Sequence, residues 1–269
     1  MDWPTILRAF GLTLFAGMAT GIGGLIAFFA RRTNTTFLSY SLGFSAGVMI
    51  FISLTQIMTG AGEIIAGFYP QKTASIVTFA FFIGGFFLTA VIDKVIPIKD
   101  NPHELMRLEQ MNEKCRKRDP RLLRIGIFTA IALGIHNFPE GIATFMAGMT
   151  DLTVGISIAV AVAIHNIPEG IAVSVPVFYA TGSRKQALKW SILSGFAEPV
   201  GAIAGFFIIS MFQSDLILGF VFAIVAGIMV YIAFDELLPA AHKYGKHHVA
   251  IYGLISGIIV IGISLILLN

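Results

Sequence analysis

Residues able to do chemistry are few in this 269-residue chain, and most of them fall in one phrase that occurs twice. It reads His136-Asn137-Phe138-Pro139-Glu140-Gly141, then His165-Asn166-Ile167-Pro168-Glu169-Gly170. A further carboxylate follows at Glu198-Pro199. On a helix, His136 and Glu140 are four apart and share a face one turn from each other, as do His165 and Glu169. Each proline removes one backbone donor and crowds the carbonyl four residues earlier, at Ile135 or Ile164. Each copy therefore predicts a kinked helix that offers an imidazole, a carboxylate, an amide and a freed carbonyl to one side.

The elements that must position these groups are transmembrane helices. Mean hydropathy is +0.84. Only 12% of residues are charged, about half the usual share of a soluble domain. Apolar runs of about 20 residues recur along the whole chain. Eight spans are expected, at roughly 5–30, 37–59, 74–96, 125–147, 152–177, 187–212, 216–238 and 249–268. Of the 18 Lys and Arg residues, only Arg8 and Lys72 fall on one side of this arrangement. The rest, including the basic run from Lys114 to Arg124, fall on the other. The positive-inside rule then predicts both termini outside and the long 97–124 segment in the cytoplasm. The first run is read as a retained helix, since Arg31-Arg32 follows it and a small-residue cleavage site is lacking. The whole chain, 1–269, is expected to be a single polytopic membrane domain.

The net charge of +3 sits beside the apolar runs, so membrane lipids are the expected partners and nucleic acid is not. The basic end of the long loop suits anionic lipid heads, or simply sets topology. The single Cys115 excludes an intramolecular disulfide framework and a thiolate metal cluster. Small-xxx-small pairs at Gly17/Gly21, Gly43/Gly47, Gly201/Gly205 and Gly253/Gly257 predict close helix crossings.

Of the 15 acidic residues, three are placed within the membrane: Glu140, Glu169 and Glu198, one on each of three consecutive spans. No Lys or Arg is expected at that depth. Ionised carboxylates in hydrocarbon are costly and mark function. Two fates are open to them: protonation, or enclosure of a cation. His136 and His165, one turn from two of the three, favour the second fate. The two copies run antiparallel on neighbouring spans, and inverted repeats broken at the midplane are a common way to build an ion site. Imidazole, carboxylate and amide oxygen without sulfur suit Zn²⁺, and also Fe²⁺, Mn²⁺ or Co²⁺. Met58 and Glu63 stand where incoming metal would meet the second span. A solvated helix end explains them equally well.

The doubled His-Asn-x-Pro-Glu-Gly, the eight spans, the charge asymmetry and the long loop after span three resemble the ZIP (Zrt/Irt-like) family of divalent-metal transporters, and its bacterial ZupT-type members most. The resemblance covers essentially the whole chain. It implies an all-α integral membrane protein, a ZIP-like bundle of eight transmembrane helices with inverted-repeat character and broken helices four and five at the metal site. It implies import of Zn²⁺, with Fe²⁺, Mn²⁺, Co²⁺ and Cd²⁺ as further candidates, across the cytoplasmic (inner) membrane. Metal is then substrate and no cofactor is needed. One metal would be held by His136, Glu140, His165 and Glu169; a second by Asn137, Asn166, Glu169 and Glu198, with Glu169 bridging. Asp93, Asp235, Glu236 and His242 resemble the family's exit ligands, and a homodimer is suggested.

Three positions depart from the family pattern. Asn166 stands where some members carry an acid, which lowers the charge of the second site. The long loop holds only His103 and Cys115, where many eukaryotic relatives are rich in His. Gln56 is neutral where an acidic residue is expected in several members. Two other function classes fit the residues less well. An intramembrane zinc-dependent hydrolase would need a His-Glu-x-x-His pair or a nucleophile elbow, and the chain has neither. A cation channel built on the carboxylates alone would leave the histidines unexplained.

Overall fold

The computed structural model describes residues 2–29, 35–95, 120–212, 214–244 and 247–268. The elements are α1 (Trp3–Phe29), α2 (Thr35–Ile52), a π-helical turn (Ser53–Ile57), α3 (Met58–Ala66), α4 (Gln71–Val95), α5 (Pro120–Thr150) and α6 (Leu152–Thr181). They continue with α7 (Arg184–Gly195), α8 (Ala197–Phe212), α9 (Asp215–Ile232), a second π-helical turn (Ala233–Leu237), α10 (Leu238–Tyr244) and α11 (His247–Leu268). No strand occurs among the described residues. Seven helical segments are long and apolar enough to cross a membrane, and α5, which carries the first copy of the phrase, adds a 31-residue helix. An all-helical integral membrane protein accords with these elements, because only intra-segment hydrogen bonds satisfy a spanning backbone in hydrocarbon. Large side chains such as Phe15, Phe79, Phe87, Phe207 and Ile266 face outward, as lipid contact requires. Most of the long 97–124 segment, with His103 and Cys115, lies outside the described residues.

Helix ends follow local chemistry. Asp151 alone links α5 to α6, and its Oδ1 accepts from Thr153 N at 2.8 Å and Val154 N at 2.9 Å. That caps two of the donors a helix start leaves open. Gly182 closes α6 at φ 64°, a left-handed position that suits glycine. Ser183 then caps α7 by accepting from Gln186 N.

Three spans differ from a plain reading of hydropathy. The second and seventh each consist of an 18-residue helix, a five-residue π-helical turn and a further helix. The sixth is divided at Phe196, immediately before Glu198-Pro199. By contrast α5 and α6 stay helical through Pro139 and Pro168. A proline deletes one hydrogen bond and leaves the neighbouring ones in place, so a continuous helix can carry it.

Packing divides the helices into two bundles. One holds α1, α5, α6, α7 and α8; the other holds α2, α3, α4, α9, α10 and α11. They meet where α2 and α11 lie on α6, and where α9 lies on α5 and α8. The glycines sharpen this division. In the first bundle, a Cβ on Gly17 would strike the Gly195 carbonyl, and one on Gly23 would strike the Ile167 carbonyl. In the second, Gly43 and Gly47 press on Ala250 and Leu254, while Gly253 and Gly257 press on Tyr40 and Phe44. Among the described glycines, every close backbone approach lies inside one bundle and none crosses between them. Of the four small-xxx-small pairs expected from the sequence, Gly43/Gly47 and Gly253/Gly257 sit wholly at such crossings, while Gly17 and Gly201 meet backbone and their partners Gly21 and Gly205 meet side chains.

Candidate metal centre

The two copies of the phrase lie on α5 and α6, which pack against each other. Each copy docks one further helix, and both do so in the same manner. Gly141 receives the Glu198 carbonyl of α8, while Gly201, three residues on, receives the Phe138 carbonyl. Gly170 receives the Thr20 carbonyl of α1, while Gly23, again three residues on, receives the Ile167 carbonyl. The amides repeat the relation. Asn137 Nδ2 donates to the Ser194 carbonyl at 3.3 Å, four residues before Glu198. Asn166 Nδ2 donates to the Ala16 carbonyl at 2.9 Å, four residues before Thr20. Thus the Asn, x and Gly of the phrase form a helix-crossing surface. Its glycine has no Cβ to hold the neighbouring backbone away.

The remaining residues of the phrase bring carboxylates and an imidazole together. Glu140, Glu169, Glu198, Asn137 and Asn166 are each 0% exposed and His165 is 1% exposed. His165 Nε2 lies 3.0 Å from Glu140 Oε1, which joins the second copy to the first. Asn166 Nδ2 also donates to Glu198 Oε1, which joins the second copy to α8. The Asn137 side chain lies beside Glu169. With its amide turned so that nitrogen faces the carboxylate, it donates to Glu169 Oε2 at 3.3 Å and to the Leu133 carbonyl at 3.0 Å. In the orientation that bonds Ser194, and that matches Asn166, the amide oxygen faces the same carboxylate. Two oxygens at that spacing call for a cation or a proton between them.

The side chain of His136 lies outside the described residues, although its backbone belongs to α5. Among the described residues, no three His, Cys, Asp or Glu side chains converge as a metal-holding group. The six described residues of the expected site therefore meet pairwise: Glu140 with His165, Asn137 with Glu169, and Asn166 with Glu198.

The expected residues of the approach and exit are more dispersed. Met58 is half-buried and Glu63 is exposed, just after the first π-helical turn. Asp235 and Glu236 lie within the second one, exposed and half-buried respectively. His242 turns Nδ1 to its own helix, 2.8 Å from the Leu238 carbonyl. The Asp93 side chain lies outside the described residues. Sequence reasoning missed the part played by α1, whose Ala16 and Thr20 backbone braces the second copy. The only signal was its glycine spacing. It also missed Ser45 of α2, whose hydroxyl donates to the His165 carbonyl at 3.2 Å.

Comparison with known proteins places the chain in a family. The family described as "ZIP Zinc transporter" matches residues 99–266. The chain is 56% identical over 264 residues to the zinc transporter ZupT of Lysinibacillus sphaericus, covering 98% of each chain. It is 53% identical over 262 residues to the ZupT of Streptococcus mutans, covering 97% of this chain and 98% of that one. It is 52% identical over 274 residues to the ZupT of Nitratidesulfovibrio vulgaris, covering 99% of each. These relatives are named as transporters and not as enzymes, and with the doubled phrase intact across α5 and α6 the chain belongs to the ZIP zinc transporter family.

Proposed function

We propose that this protein carries Zn²⁺ across the cytoplasmic membrane into the cytoplasm, through a site made by the two copies of the phrase together with Glu198. The observation that carries the reading is the Glu140–His165 contact, 3.0 Å, formed between wholly buried side chains of the two copies. A carboxylate and an imidazole at that depth cost little only if a proton or a metal ion neutralises the site. His136, Glu140, His165 and Glu169 supply two nitrogens and two carboxylates, a set that suits Zn²⁺ and accommodates Fe²⁺, Mn²⁺, Co²⁺ and Cd²⁺. Asn137, Asn166, Glu169 and Glu198 form the second position, with Glu169 bridging. With an amide at Asn166, that position carries less charge. The ligands bind metal deprotonated, so Zn²⁺ affinity falls as pH falls through their titration range.

Transport is a movement of one bundle against the other. The close glycine crossings tie α1 and α8 to the helices that bear the site, so all of these travel together. Pro139 and Pro168, each of which removes one helix hydrogen bond, and the division at Phe196 give the carrier local give at the site. The matched crossings of α8 on α5 and of α1 on α6 support an inverted repeat. So do the matched π-helical turns of spans two and seven. Met58 and Glu63 serve the outer approach. Asp93, Asp235, Glu236 and His242 serve release on the inner side, with both termini outside and the long loop cytoplasmic.

The test is uptake into proteoliposomes loaded with a chelating dye, comparing Zn²⁺, Fe²⁺, Mn²⁺, Cd²⁺ and Mg²⁺. Accumulation of Zn²⁺ above Mg²⁺ is expected. If well-folded protein accumulates no metal, the transporter reading of this site is overturned.

A further inference from the structure

We infer that Ser45 is a positioning residue that latches the site-bearing bundle to the supporting one. The inference rests on the two-bundle reading of transport given above. Ser45 lies on α2 in the supporting bundle and is wholly buried. Its Oγ donates to the backbone carbonyl of His165 at 3.2 Å, on α6 in the other bundle. Other buried side-chain hydrogen bonds of these helices stay within a bundle. Ser39, also on α2, donates to Ala241 of α10 at 2.7 Å. Ser191 donates to Thr20 at 2.7 Å, and Asn166 donates to Ala16 at 2.9 Å.

The location gives this bond its meaning. Among the described glycines, none makes at the seam the crossings that lock each bundle internally, so a directional contact there has unusual weight. It grips the main chain of a residue whose imidazole faces Glu140. Counting back eight residues from the start of each π-helical turn, Ser45 on α2 corresponds to Val225 on α9. Val225 is buried and its side chain has no donor to offer. The latch is therefore one-sided. It binds the copy on α6, while the corresponding position on α9 offers no such bond. Because a displacement of α6 along α2 must break this bond, it favours the arrangement in which it is formed.

The experiment places spin labels at Lys72→Cys on α4 and Leu152→Cys on α6, in a Cys115→Ser background reconstituted in liposomes. The distance between bundles is then read with Zn²⁺ and with chelator. Two distance populations are expected in the parent. In Ser45→Ala, the population with the present spacing falls about fivefold relative to the other, the weight of one ordinary hydrogen bond. Ser45→Thr, which keeps the hydroxyl, restores the parent ratio, and Ser39→Ala, which removes a bond inside one bundle, leaves it in place. An unchanged ratio in Ser45→Ala, or an equal shift in Ser39→Ala, overturns the latch and leaves bundle movement standing. A single distance in every variant and condition overturns bundle movement, and the latch with it.

Discussion

The two copies of the phrase differ in chemistry far more than in geometry. Gly141 and Gly170 accept a neighbouring helix in the same way, and Asn137 and Asn166 reach carbonyls at the same offset. Yet the helix that docks on the first copy brings Glu198, while the helix that docks on the second brings Thr20. The Glu198 carboxylate takes a hydrogen bond from Asn166. The Thr20 hydroxyl is wholly buried and its oxygen has no hydrogen-bond partner among the described residues. The backbone is thus built twice and the charge only once. A symmetric frame can carry an asymmetric site because main-chain crossings constrain Gly and Asn but leave the docking helix free to bring any side chain.

The largest effect should come from breaking the shared part of this comparison. Gly141→Ala and Gly170→Ala each force a Cβ into the backbone of a partner helix, and each is expected to destabilise the fold by about 3 kcal/mol. Thermal unfolding in detergent checks this. Unequal losses, with one variant at wild-type stability, would show that the two crossings are not equivalent.

The next effect sharpens the difference. Glu198→Gln is expected to weaken Zn²⁺ binding about tenfold, while Thr20→Val removes an unpartnered hydroxyl and leaves binding and stability nearly unchanged. Calorimetric titration of the purified protein distinguishes them. Equal losses in both would place Thr20 in the site. A smaller contrast is expected in selectivity: His165→Ala should lower Zn²⁺ uptake about tenfold more than Mn²⁺ uptake, since imidazole suits Zn²⁺ better. Competition between the two metals in liposomes reads that ratio directly, and a ratio equal to wild type removes His165 from the ligands.

Much of this organisation is legible in the residues. Mid-span carboxylates are conspicuous against an apolar background, so Glu140, Glu169 and Glu198 could be singled out before any coordinates. The spans follow from hydropathy, and the glycine pairs announce crossings without naming partners. What stays hidden depends on helix rotation and tertiary contact. The π-helical turns at Ser53–Ile57 and Ala233–Leu237 have no distinctive composition. The pairing of α1 with α6 joins residues far apart in the chain, and Ser45 meets a backbone carbonyl, which has no letter in the sequence.

The central claim is that metal passes through the buried site shared by the two copies. Zn²⁺ uptake by Glu169→Ala in dye-loaded proteoliposomes, set beside wild type at equal insertion, tests it most directly. The account predicts that wild type accumulates Zn²⁺ and that the variant, folded and inserted, does not. Wild-type uptake by Glu169→Ala would contradict it.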